Sequence, residues 1–442
     1  MKGICIAAMN SNSGKTTISL ALARLLANKN NKVKYLKSGP DFIDSRLGSF
    51  ASKGDYGNVD IFMQKSGATE VGASDADYCV LEGVMGYLDG IYNTMEASTY
   101  ANAKALGLKT VLVLTPKGEM FSLIAKLKGF TDYADNIVGV IFNKTHAKLY
   151  TIYKDLVEKE LGLEVFGNIE MDEDFVIEDK DLGLELPSDI KAFDEKLDRI
   201  AAKLEKEIDF EKLLKYFKAA KTEAKKDFQK SKTIVAIAYD KAFNFYYKEN
   251  IDFLEKYFNV KYFSVLDEEE VPEADLLYIG GGNLKDYLEI IKKSNSLESI
   301  KKYYDNGGKI FAEGEATYFL AESFNEHKML GIMNGKAVSE KRLHNFGYAY
   351  LKALRKNFLF DQDKIFHSQE FHKSSLSDNK FNLFKVEKPY REDTWTSSFT
   401  NERVVAIEQN IYFVQDEEYF YKKIDSLRGE NDVKLRQQPH EY

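Results

Sequence analysis

The stretch Ser11-Asn12-Ser13-Gly14-Lys15-Thr16-Thr17 follows the apolar run GICIAAM (3–9), with only Asn10 between them. It opens a segment, 16–28, whose apolar residues recur at helical spacing. A strand, a polar loop closed by glycine and a helix, in that order, bring backbone N–H groups and a helix N-terminus together around a phosphate. Lys15 would reach the outer phosphates, and the Thr16 hydroxyl would ligate Mg²⁺. The loop departs from G-x-x-x-x-G-K-[ST] at its first position, where Met9 stands, and Asn12 fills a place where glycine is common. A chance Ser/Gly-rich turn has the same composition. The strand-to-helix setting favours nucleotide binding through Ser11, Asn12, Ser13, Gly14, Lys15, Thr16 and Thr17.

Working outward, KVKYLK (32–37), DYCVLEG (77–83), TVLVLT (110–115) and NIVGVIFN (136–143) each read as a buried strand, with helical patterns such as 98–108 between them. Such alternation predicts crossover units and a parallel sheet covered on both faces. Two motifs fall where strands end, the edge at which open α/β sheets bind ligands. In Lys37-Ser38-Gly39-Pro40-Asp41-Phe42-Ile43-Asp44 two carboxylates could hold Mg²⁺ or a substrate group. In Glu82-Gly83-Val84-Met85-Gly86-Tyr87-Leu88-Asp89-Gly90 the strand itself ends on a carboxylate. Each motif alone fits equally well a glycine-rich turn with capping acids.

At 442 residues the chain is long enough for two or three domains. Residues 1–190 form the first by this reading. Residues 191–231 carry Leu197, Ile200, Ala201, Leu204 and Ile208 at helical spacing among mixed charges, and read as helices bridging two domains. A second strand–helix alternation begins at TIVAIAYD (233–240), passes through ADLLYIGGG (274–282) and GKIFAEGEA (308–316), and becomes strand-rich. Residues 232–442 are assigned to it, the polar end from 428 onward being expected to fray.

The chain is 44% hydrophobic and 30% charged, with a net charge of −8. That balance suits a globular protein and argues against nucleic acid as a partner. No run reaches the length of a membrane span, and the first residues turn polar before a signal-peptide core can form, so a cytoplasmic location is expected. Cys5 and Cys79 both sit in apolar runs, which argues against disulfides and against a cysteine metal cluster.

Taken together, SNSGKTT, KSGPDFIDS, Asn58-Val59-Asp60, LEGVMGYLDG, Ser98-Thr99 and GVIFNK, in that order, resemble the cobyrinic acid a,c-diamide synthase family. The likeness continues through AFNFYY (242–247), PEADLLYIGGG, MLGIMNGKA, LHNFGYAYL and QEFHKS, and covers residues 1–419. It implies a P-loop, dethiobiotin synthetase-like domain followed by a flavodoxin-like domain resembling class I glutamine amidotransferases. The implied reaction is the amidation of corrin side-chain carboxylates a and c: ATP phosphorylates a carboxylate and ammonia displaces the phosphate. Lys15, Asp41, Asp44 and Glu82 would then be catalytic. Thr16, Asp41 and Glu82 would hold Mg²⁺, with Ser98 and Thr99 nearby. A homodimer is compatible with the resemblance.

In the second half this chain resembles a glutamine amidotransferase domain without the residues of its chemistry. The family elbow carries a nucleophilic cysteine in a pattern like A-E-C-G-G; here Ala312-Glu313-Gly314-Glu315 puts glycine at that place. The family histidines, in a pattern like S-Y-x-H-x-H-F, align with Asn410 and Tyr412, and G-G-G-Y-P-E has become Gly280-Gly281-Gly282-Asn283-Leu284-Lys285. A thioester needs a thiolate and a base, so glutaminase activity is expected to be absent, and the ammonia to come from solution or from a separate glutaminase. His367 and His372 flank Glu370 in FHSQEFHKS. Without further ligands at metal spacing they read as structural or substrate-loop histidines. Where the family shows S-R-H-L-G-L, this chain has Asp179-Lys180-Asp181-Leu182-Gly183-Leu184, which leaves open another tetrapyrrole as substrate; the lost glutaminase residues and Met9 at the leading-glycine place leave open a nucleotide-binding regulatory protein.

Overall fold

In the computed structural model the chain divides into two units, Met1–Lys225 and Lys226–Tyr442. The structure describes residues 1–71, 74–172, 175, 177, 190–223, 226–377 and 379–437. The Asp179–Leu184 departure therefore lies outside the described residues.

The first unit is built on strands β1 (Lys2–Ala8), β2 (Val33–Ser38), β3 (Tyr56–Val59), β4 (Tyr78–Glu82), β5 (Lys109–Leu114), β6 (Ile137–Asn143) and β7 (Glu164–Ile169). They form a parallel sheet in the order β3-β2-β4-β1-β5-β6-β7, and β8 (Lys218–Ala219) pairs antiparallel with β1. Nearly every residue of β1, β2 and β4 is buried, as a sheet covered on both faces requires. Register sets Ile6 opposite Glu82, and Lys37 opposite the same Glu82. The phosphate loop, the end of β2 and the end of β4 thus converge at one edge.

The segment expected to bridge the domains is largely built into this unit. The helix Ile190–Glu207 lays Leu197, Ile200, Ala201 and Leu204 into the same core as Ile18, Leu22 and Leu25 of the helix Lys15–Asn28. Arg24, fully buried on that first helix, is held by Asp194 at 2.6 Å and Asp198 at 2.7 Å. Phe210, Leu213 and Phe217 continue the burial up to β8. The apolar stripe decides the matter: three large aliphatic side chains and Ala201 facing one core outweigh the charged face read as a solvated bridge.

The second unit has two sheets. Strands β9 (Ile234–Ala238), β10 (Asn259–Phe263), β11 (Leu276–Ile279) and β12 (Lys309–Glu313) lead into β13 (Ser323–Phe324), β14 (His327–Lys328), β15 (Lys336–Ala353) and β16 (Ile365–Ser377). After them come β17 (Phe384–Glu387), β18 (Thr394–Ser397), β19 (Phe399–Thr400), β20 (Val404–Ile407) and β21 (Asn410–Ile411). One sheet runs β10-β9-β11-β12-β20-β19, parallel except for its last strand. Counted among its parallel strands this is the order 2-1-3-4-5 of a flavodoxin-like fold. The other sheet is organised on the long β15–β16 hairpin. The helix Glu417–Gln437 runs through most of the stretch expected to fray, because Phe420, Ile424 and Leu427 anchor its first turns and extension costs little once a helix is nucleated. Among the described residues no helix is long and apolar enough to cross a membrane.

Candidate active site

At the first unit's sheet edge the chain leaves β1 through residues 9–14 and enters the helix Lys15–Asn28. Gly14 sits at φ +87°, and a Cβ there would come within 2.2 Å of the Asn143 amide. Glycine is thus required by backbone conformation and by space at once. Asn12, where glycine is common, adopts φ +62°, a conformation asparagine tolerates better than most residues. The Ser13 carbonyl accepts hydrogen bonds from Asn143 Nδ2 (2.9 Å) and Thr115 Oγ1 (3.1 Å), while the Ser13 hydroxyl bonds Asn10. Lys15 and Thr17 are buried; Ser11 and Asn12 are exposed.

Glu82 is the hub. Fully buried, it accepts hydrogen bonds from the Thr16 hydroxyl, from the Tyr35 phenol and, at 2.8 Å, from Lys37 Nζ. Lys37 also donates to Asp44 Oδ2 at 2.5 Å. Burial works against the Lys37 charge, but Asp44, Glu82 and Asp41 outweigh it and hold the ammonium above its ordinary range. Asp41 accepts the Asp44 backbone N–H at 2.7 Å and so caps the first turn of the helix Ile43–Ser52. Burial, with the Asp44 carboxylate beside it, pushes the Asp41 carboxyl up to about 7, against the pull of Lys37. Asn58 donates to the carbonyls of Gly39 and Asp41, both at 2.8 Å, which fixes the turn carrying these acids.

Ser98 and Thr99 serve the loop after β4. Ser98 caps the helix Thr99–Ala105, and the Thr99 hydroxyl bonds both the N–H and the carbonyl of Val84. The structure therefore gathers Lys15, Thr16, Asp41, Asp44 and Glu82 at one edge, and adds Tyr35 and Lys37. Lys37 stands in the β2 motif, where sequence alone assigns it no role. A lysine two places before the Gly39-Pro40 turn, at the end of a strand-like run, was the available signal.

In the second unit β12 ends at Glu313 and the chain turns sharply through Gly314, at φ +63°, into the short helix Ala316–Phe319. A Cβ at Gly314 would lie 3.2 Å from Asn410 Nδ2 and 3.7 Å from Gly281 Cα. The elbow geometry persists with hydrogen in place of a side chain, and the residue at the histidine place faces it. Tyr412 is buried and stacked on Tyr247, ring centroids 3.8 Å apart. Both cysteines are buried in the first unit, where burial pushes each thiol up to about 12.

A strand, a glycine-closed phosphate loop and a helix, with an acid ending the neighbouring strand, define a P-loop nucleotide-binding unit; the second unit is amidotransferase-like. Residues 4–276 match the CobQ/CobB/MinD/ParA nucleotide binding domain, and residues 234–412 the CobB/CobQ-like glutamine amidotransferase domain. The chain is 35% identical over 432 residues to the cobyrinate a,c-diamide synthase of Clostridium acetobutylicum, covering 93% of this chain and 97% of that protein. It is 34% identical to that of Clostridium tetani (95% and 98% covered) and 33% identical to that of Methanocaldococcus jannaschii (88% and 90%). The chain belongs to the cobyrinate a,c-diamide synthase family.

Proposed function

We propose that this chain uses ATP to activate side-chain carboxylates of a cobyrinic acid-type corrin and amidates them with free or externally supplied ammonia, in the cytoplasm. The observation that carries the nitrogen source is the elbow: Gly314 offers no atom that could attack glutamine, and Asn410 is no base.

A carboxylate becomes an electrophile only when one oxygen turns into a leaving group, which is the work of the phosphoryl group that ATP supplies. Lys15, at the start of the helix, neutralises charge on the phosphoryl being transferred. Thr16 and Glu82 offer two hard oxygens in direct contact, the donor type Mg²⁺ selects, and would hold that ion. Lys37 pairs with the Asp44 and Glu82 carboxylates and aims them, and Asp41 and Asp44 present the β2 turn to the substrate carboxylate.

The test supplies ATP, Mg²⁺ and cobyrinic acid with either ammonium or glutamine, and follows product mass. Ammonium should support amide formation and glutamine alone should not, while Lys15→Ala should lose the ammonium-supported turnover. Glutamine-driven product from pure protein would overturn the nitrogen assignment. The same elbow also favours a nucleotide-binding regulatory protein, which would form no product with ammonium.

A further inference from the structure

The second unit carries a polar cluster that the amidation reading does not use. The β15–β16 ladder is continuous from Lys336↔Ser377 to Ser339↔Ser374 and again from Gly347↔Glu370 onward. Between these runs the single pair His344↔His372 remains. Strand alternation sends His367 to the opposite face from Glu370 and His372, where its ring meets Tyr350. In its place His344, from the facing strand, approaches the same carboxylate. Donor atoms of His344, Glu370 and His372 all lie within 4.8 Å of one another.

The donors are oriented as ligands. His372 Nδ1 lies 2.8 Å from the Ser374 carbonyl, an atom that can only accept, so Nδ1 carries the hydrogen. Its Nε2 is then turned on Glu370 Oε1, 2.9 Å away. The other oxygen of Glu370 is fixed by Gln409 Nε2 at 2.5 Å, and Gln409 Oε1 by Ser398 at 3.1 Å. A histidine whose second nitrogen donates to a backbone carbonyl, beside a carboxylate braced by an amide, is the outer-sphere pattern of a metal site. His344 Nδ1 stands 4.0 Å from Glu370 Oε1, and its side chain is 45% exposed, which gives an ion a way in from solvent.

Charge points the same way. Glu408, buried and bonded to Tyr318 (2.9 Å) and Ser397 (2.6 Å), and Glu315, half-buried and bonded to Ser374 (3.0 Å), bring the carboxyl groups of the cluster to three around one buried imidazole. Lys388, the nearby cation, spends its ammonium on the carbonyls of Asn345, Phe346 and Gly347.

We propose that His344, Glu370 and His372 bind one Zn²⁺-type divalent cation that ties β15 to β16 where their ladder is reduced to one pair. Two imidazoles and one carboxylate suit zinc, whereas an oxygen-only set would suit Mg²⁺ or Ca²⁺. The inference is independent of the proposed amidation.

The test uses the untagged full-length chain, stripped with chelator and titrated with Zn²⁺ in the presence of excess Mg²⁺, followed by elemental analysis of the gel-filtered protein. One Zn²⁺ per chain is expected. His344→Ala, a change at a half-exposed position, should weaken binding by more than about tenfold. Glu370→Gln, which keeps an acceptor and the side-chain shape, should do the same, whereas His146→Ala in the other unit should not. Loading with Co²⁺ should give visible d–d bands that His344→Ala alters. Wild-type protein that elutes without zinc, or His344→Ala that binds it as tightly as wild type, would overturn the proposal.

Discussion

Replacing Lys37 with Met removes the one ammonium that bridges Asp44 and Glu82 while keeping most of the apolar stem. Lys37 and Glu82 are 3% and 0% exposed, so water cannot take the lysine's place. At 2.8 Å and an effective dielectric of about 20, the Coulomb attraction of the Lys37–Glu82 pair is about 6 kcal/mol, much of it offset by desolvating the ammonium. Removing the lysine recovers its own desolvation cost but leaves the fully buried Glu82 without its countercharge, beside the partly exposed Asp44, so the loss should be about 3–5 kcal/mol. For a unit of this size that corresponds to a melting temperature lower by about 10 °C. The single tryptophan, Trp395, lies in β18 of the second unit and supplies an internal control. Far-UV circular dichroism should show an early transition in the variant while the Trp395 fluorescence transition stays put. A loss below about 1 kcal/mol, or a Trp395 transition that moves equally, would refute the countercharge role of Lys37.

Gly314→Cys should destabilise the second unit by about 1–2 kcal/mol, because an L side chain at φ +63° is strained, and should still give no glutamine hydrolysis with Asn410 and Tyr412 in place. Release of glutamate from glutamine by this variant would show that a base is present after all. Glu313, buried and bonded to Tyr278 (2.6 Å) and to the Ile411 N–H (2.7 Å), has its carboxyl pushed up to about 7 by burial. The folded state therefore holds a proton that the unfolded chain has released. Stability from this group is greatest below about pH 4.5 and falls as pH rises to about 7, by on the order of 3 kcal/mol in all. Glu313→Gln should flatten that fall in melting curves taken between about pH 5 and pH 8; an unchanged slope would remove Glu313 as its source. Arg24→Met should cost the first unit about 2 kcal/mol, since it removes the hydrogen bonds of a buried guanidinium to the half-exposed Asp194 and Asp198 and to the Phe50 carbonyl. Lys29→Met, which breaks the exposed pair with Glu205, should cost under about 1 kcal/mol in the same denaturant titration.

The phosphate loop was legible because its parts are consecutive. Strand, loop and helix N-terminus need no distant partner to be recognised, and residues 9–17 carry both the conformational requirement at Gly14 and the chemistry of Lys15 and Thr16. The parallel sheet was legible for a related reason, since strands buried on both faces must be apolar throughout. The glycine at the elbow, Gly314, could be read from one position of the sequence. Burial and partnership were not legible in the same way. The charges of residues 191–207 looked like a solvated bridge until the core took up the other side of that helix. Strand order alone puts β2 beside β4 and so makes Lys37 the partner of Glu82, 45 residues away. His344 meets Glu370 and His372 only because two long strands pair across an interruption in their ladder, and Asn410 faces Gly314 only because β20, whose end leads to it, lies beside β12. Local sequence fixes local backbone and its chemistry; which charges end up neighbours depends on strand order and register, which the whole sheet decides.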